Sequence, residues 1–159
     1  MSRLIKQGHI TDDTWLPLNA DIIQPAPGQI CNLEQWLQLV DKSSSAVQLE
    51  PGQEPAPLMD FLEQIQLVVI HFLVFTDGRG FSYARDLREH GYRGELRAAG
   101  HFIRDQLTYL QRCGFDAFQM ADELRLEEAL ASLQDFSEHY QAAIDQPLPL
   151  FRRRTHNQR

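Results

Sequence analysis

The residues most able to do chemistry lie in Thr76-Asp77-Gly78-Arg79-Gly80-Phe81-Ser82, between an apolar run and an amphipathic one. Glycines let backbone N–H groups turn toward a ligand, and a helix start adds partial positive charge. An arginine there favours an oxyanion or a carboxylate. The segment is not a Walker loop, and its G-x-G lacks the third glycine of a dinucleotide fingerprint. A tight strand-to-helix turn, with Asp77 or Ser82 capping the helix, accounts for the same residues.

Other candidates follow strands. His101 is the better placed acid/base residue, although no carboxylate partner is identifiable in sequence. Arg97 and Gln119 fall near the ends of two further strand candidates, and Arg85 and Arg104 extend the basic set. Tyr83 reads as a packing residue with a polar tip. His71 interrupts an apolar run and reads as a satisfied core histidine. Cys113 ends a helix pattern on its apolar face, where a free cysteine behaves as a small hydrophobe. No Ser-His-Asp, H-E-x-x-H or paired-carboxylate arrangement is visible.

Charge is unevenly spread. The 159 residues carry 22 acids and 15 bases, for a net charge of −7, which disfavours a general nucleic-acid binder. The bases are thirteen Arg and two Lys. Seven arginines (79, 85, 88, 93, 97, 104 and 112) face five acids between Asp77 and Cys113, whereas eight acids face one Arg from Gly114 to Leu150. Such segregation suits either intramolecular pairing or a basic surface for an anionic ligand or acidic partner.

Two cysteines, Cys31 and Cys113, exclude a C-x-x-C pair and four-cysteine metal or iron–sulfur sites within the chain. No metal site is expected, and no home for a cofactor is evident. The N-terminus turns polar within six residues, and the longest nearly apolar stretch, Leu67 to Phe75, is too short to span a membrane. A cytoplasmic protein without membrane contact is the expectation.

The elements that must position these residues alternate. Arg3–Lys6 and Thr14–Leu18 are expected to pair as a small hairpin, and Asn32 to cap a helix over 33–41. Strands are expected at Ala46–Leu49, Leu67–Phe72, Glu95–Ala99 and Ala117–Met120. Helices are expected at Leu58–Ile65, Phe81–His90, Phe102–Cys113 and Glu123–Gln141, with Gly91 and Gly114 as stops. Four successive βα units imply an α/β fold with a parallel sheet, open or half-barrel-like, with a doubly wound sheet as the alternative. The organisation reads as an N-terminal extension over 1–45, a βα-repeat domain over 46–146 and a basic tail over 147–159. Sites in such sheets form outside the carboxyl ends of the strands, which brings Asp77, Arg79, Arg97, His101 and Gln119 to one rim.

One stretch, Val74 to Met120, carries a family likeness. Its pieces are Asp77–Arg79, Ser82 with Ala84-Arg85, Leu87–Arg88, Gly94–Ala98, Arg104–Leu107 and Arg112–Phe118. Together they resemble a bacterial family of unknown biochemical activity that is associated with sulfite reduction and encoded beside assimilatory sulfite reductase. The likeness runs from about Val47 to Ala142. The family's Asp-Phe-Pro-like step before the turn is replaced here by His71, Phe72, Leu73 and Val74. The resemblance implies an accessory protein of sulfite reduction in sulfur assimilation, docking to sulfite reductase or joining it to its electron donor. The partner reductase would carry the siroheme and iron–sulfur cluster. The residues for ligand or partner contact are Asp77, Gly78, Arg79, Ser82, Arg85, Arg97, His101, Arg104 and Gln119. The alternatives are a small oxyanion-binding α/β enzyme and a nicotinamide- or flavin-dependent oxidoreductase.

Overall fold

The computed structural model describes residues 2–74 and 76–134. Seven strands, β1 (Arg3–Lys6), β2 (His9–Asp12), β3 (Ile30–Asn32), β4 (Ser45–Leu49), β5 (Ile65–Phe72), β6 (Glu95–Gly100) and β7 (Ala117–Met120), form one open sheet. Its order is β2-β1-β7-β6-β5-β4-β3. From β3 to β7 every neighbour pair is parallel and sequential, and β1 runs antiparallel to both β7 and β2. The helices are α1 (Leu33–Gln38), α2 (Arg79–Glu89), α3 (Leu107–Cys113) and α4 (Leu126–Gln134). The fold is therefore α/β with a mostly parallel sheet, as the strand–helix alternation predicts.

The two faces of the sheet differ. Alternate residues Val47, Leu49, Val68, Ile70, Phe72, Leu96, Ala98, Phe118 and Met120 join Trp36, Leu87, Leu110 and Leu126 from the helices in one large core. Other strand residues, Ile30, Ala46, Leu67, Val69 and Ala99, form a small second cluster, against which Trp15 and Leu18 pack among the described residues. All four described helices thus pack on one face, whereas a doubly wound sheet would carry helices on both.

Local chemistry explains the element boundaries. Asn32 caps α1 in a reciprocal box with Gln35, each contact at 2.8 Å. Helix α2 ends in a Schellman motif: Tyr92 N–H reaches the Leu87 carbonyl at 2.9 Å, Gly91 N–H reaches that of Arg88 at 3.0 Å, and Gly91 sits at φ +95°. Gly114 ends α3 in the same way at φ +115°.

Several expectations are corrected. β1 pairs with His9–Asp12 rather than with Thr14–Leu18, because the Gln7-Gly8 turn, both residues at positive φ, closes the hairpin at once. The strand β3 was not anticipated: three residues beside a Pro- and Gly-rich run are too few for a periodic signal. Leu58–Ile65 is not an α-helix. Ala56–Phe61 is a 3-10 helix with Pro55 at its N-cap and Pro57 in its first turn, and Ile65 already belongs to β5. The helix expected at 102–113 starts later, as a 3-10 turn at Arg104–Gln106 leading into α3. The expected helix beyond residue 134 and the basic tail lie outside the described residues.

Candidate functional site

Three turns meet at the carboxyl edge of the parallel strands, following β5, β6 and β7. In the first, Arg79 N–H donates to Asp77 Oδ1 at 3.1 Å, and the Arg79 side chain grips the same carboxylate through Nε at 3.1 Å and Nη2 at 2.9 Å. These hydrogen bonds hold the Asp77 carboxyl below its ordinary range and raise the Arg79 guanidinium. The turn thus neutralises its own arginine on two of its three nitrogens. Ser82 is exposed in the first turn of α2 and does not cap it.

The two glycines of the turn have different roles. A Cβ on Gly78 would meet open space. A Cβ on Gly80 would stand 2.6 Å from the Phe72 ring and 2.9 Å from Ile70. Gly80 is there so that α2 can sit directly on β5, a packing demand that mimics the spacing of a phosphate loop.

The second and third turns enclose an open groove of about 540 Å³, lined among others by His101, Ile103, Arg104, Asp122, Arg125 and Glu128. His101 is exposed, and its backbone N–H is fixed on the Phe72 carbonyl at 2.8 Å. Arg104 is exposed with no partner among the described residues. Arg125 Nε lies 3.5 Å from Asp122. Each turn also exposes apolar side chains: Leu73 at 55% and Val74 at 53%, Ile103 at 44%, and Leu124 at 90%.

Arg97 and Gln119 do not join this rim. Both project from mid-strand to the face opposite the described helices. Arg97 is 1% exposed, donates to Asp13 at 2.8 and 3.2 Å, to Glu95 at 2.8 and 2.9 Å, and to Gln119 Oε1 at 3.2 Å. Lys6 completes the cluster, 2.6 Å from Glu95. Two cations and two carboxylates balance, as a buried charge requires. Arg85 stands on α2 with its guanidinium 5.9 Å from the Tyr109 ring centre on α3. Contact with Cys113 raises it further above its ordinary range. Of the expected residues, the structure brings Asp77, Gly78, Arg79, His101 and Arg104 to the edge. Ser82 and Arg85 lie on α2, and Arg97 and Gln119 lie on the opposite side of the sheet from the helices.

A further polar group lies near the edge on the face opposite the described helices. His71 Nδ1 is 2.6 Å from Glu50 Oε2, and Gln48 Nε2 donates to Glu50 Oε1 at 2.6 Å. His71 is therefore paired and half-buried rather than a core residue. The sequence held the necessary signal: Gln48, Glu50, Val69 and His71 share one strand phase at the ends of adjacent parallel strands.

Among the described residues no group of three or more His, Cys, Asp or Glu is placed to hold a metal ion, and no helix is long and apolar enough to cross a membrane. No curated protein and no solved structure matches the chain. A family model does match it, over residues 46–151, which is more than half of the sequence and includes every edge turn. On that match the chain belongs to DUF934, a family of bacterial proteins of unknown function.

Proposed function

We propose that the protein is an accessory component of assimilatory sulfite reduction. It docks through the carboxyl edge of its sheet on sulfite reductase, or joins that enzyme to its electron donor. The observation that carries the docking is the repeated composition of the edge. Each of the three turns pairs an exposed aliphatic residue with an arginine: Leu73 and Val74 with Arg79, Ile103 with Arg104, and Leu124 with Arg125. Aliphatic anchors beside arginines are the composition of a protein interface; Arg79 and Arg125 are partly paired with Asp77 and Asp122, and Arg104, which has no partner among the described residues, favours an acidic partner. The pathway comes from the family likeness around the Asp77–Arg79 turn. Electron transfer itself is left to the partner, which would carry the siroheme and iron–sulfur cluster.

The test is affinity capture of the tagged protein from cells growing on sulfate. Sulfite reductase or its electron donor is expected in the captured material. Ile103→Asp combined with Leu124→Asp removes two anchors and is expected to lower its recovery by at least about tenfold. A deletion strain is expected to need sulfide or cysteine. Capture of neither protein, or normal growth of the deleted strain on both sulfate and sulfite, refutes the reading.

A further inference from the structure

Beyond docking, the sheet face opposite the described helices carries an arrangement suited to proton transfer. Glu50 is held on both carboxylate oxygens, by Gln48 and by His71, each at 2.6 Å. Its backbone is pinned as well: Glu50 N–H donates to Gln53 Oε1 at 2.8 Å, and Gln53 N–H returns to the Glu50 carbonyl at 2.9 Å. A carboxylate only accepts, so Nδ1 of His71 carries a ring hydrogen, and in the neutral ring Nε2 is the nitrogen with the lone pair. No described residue donates to Nε2, and the side chain is 26% exposed.

The neighbouring strand leaves room for that nitrogen. Gly100, at the end of β6, has φ +102°. A Cβ there would overlap the Phe72 carbonyl oxygen and stand 2.8 Å from Cδ2 and 3.1 Å from Nε2 of His71. The Cδ2–Nε2 side of the ring thus faces a position without a side chain. Charge is close by. Asp77 occupies Nε and Nη2 of Arg79, while Nη1 lies 3.2 Å from where a Cβ of Gly52 would stand, over the turn that follows Glu50.

The geometry points to a general-base site at the carboxyl ends of β4 and β5, formed by Glu50 and His71 and taking a small anionic substrate. Nε2 accepts a proton from the substrate or from a water beside it, and the electron pair stays on the atom that loses the proton. The resulting imidazolium faces the Glu50 carboxylate, which stabilises it. Arg79 Nη1 supplies the charge for an oxyanion or carboxylate group. Glu50 is a positioning residue, and His71 is the catalytic one.

Diethyl pyrocarbonate, with peptide mapping by mass spectrometry on the full chain, reports the free nitrogen directly. Nε2 attacks one carbonyl carbon, the anhydride C–O bond breaks, and ethyl carbonate leaves, decaying to ethanol and carbon dioxide. His71 is expected to be labelled in the wild type. Glu50→Gln is expected to slow that labelling on the order of tenfold, as loss of an orienting partner does. Sulfate and acetate, as oxyanion and carboxylate probes, are each tested for protection of His71 in the wild type and in Arg79→Ala. Protection by at least one of them, lost in Arg79→Ala, is expected. His90, whose Nδ1 lies 2.7 Å from the Asp86 carbonyl, is the internal reference and is expected to be unchanged. If Glu50→Gln does not fold, Gln48→Leu loosens the carboxylate without touching the ring and is expected to give a smaller slowing. Equal labelling of His71 in a folded Glu50 or Gln48 variant, or no protection by either anion, overturns the proposal. Neither result bears on capture of sulfite reductase.

Discussion

Two arginines that look alike in the sequence have opposite fates. Arg79 stands at an exposed turn with one nitrogen unshared, while Arg97 is enclosed by Asp13, Glu95 and Gln119. Removing a buried guanidinium leaves carboxylates without a counter-ion, which costs far more than losing an exposed pair. Arg97→Met is therefore expected to destabilise the fold by about 3–5 kcal/mol, read from urea denaturation. Adding Asp13→Asn removes one of the orphaned charges and is expected to return part of that loss. A single mutant as stable as the wild type, or a double mutant worse than the single one, refutes this account of the cluster. The sequence places Arg97 at the rim because strand position is legible in it, whereas the partner that buries it, Asp13, is 84 residues away. His71 reads as a core residue for the same reason: its partner Glu50 directly follows β4, and the register that sets Gln48 beside Val69 carries it to His71, a pairing that the shared strand phase hints at but does not fix.

At the scale of elements, signals carried by a few adjacent residues are readable, while periodicity alone serves unevenly: the spacing of Leu126, Leu130 and Leu133 belongs to α4, whereas that of Leu58–Ile65 does not belong to an α-helix. Asn32 with Gln35 marks a helix start, and Gly91 and Gly114 mark helix ends, because each cap is a local backbone requirement. Ala117–Met120 was bounded correctly between Gly114 and the acidic turn that follows. Leu58–Ile65 failed because Leu58, Phe61, Leu62 and Ile65 satisfy helical spacing while also serving a 3-10 turn and the first residue of a strand. The glycines of the Asp77–Gly80 turn show how one motif can carry two readings. If Gly80 serves packing, Gly80→Ala drives a Cβ into Phe72 and Ile70 and is expected to cost about 1–3 kcal/mol. Gly78→Ala enters open space at an ordinary φ of −85° and is expected to cost less than about 1 kcal/mol. Thermal or urea denaturation of the two variants separates the readings, since equal losses would contradict the packing role.

On the whole-molecule scale, the N-terminal residues are structural partners of the sheet rather than an appendage to it. β1 covers the β7 edge, whose backbone would otherwise be an unpaired template for another strand. Trp15 and Leu18 are the cover of the second apolar cluster, and Asp13 is a counter-ion of Arg97. All of these lie outside the family match, which begins at residue 46. Deleting residues 1–44 would at once expose a strand edge, uncover Leu67, Val69 and Ala99, remove β3 and leave Arg97 with Glu95 as its sole carboxylate partner among the described residues. Each loss is destabilising, and a domain of this size has only about 5–15 kcal/mol to lose. A chain starting at Ser45 is therefore expected to lack a cooperative unfolding transition and to associate through the bare β7 edge. Circular dichroism during a urea titration and size-exclusion chromatography read both properties. A monomer with a sharp transition would show instead that the βα units carry their own stability, and that the N-terminal strands only decorate a fold completed without them.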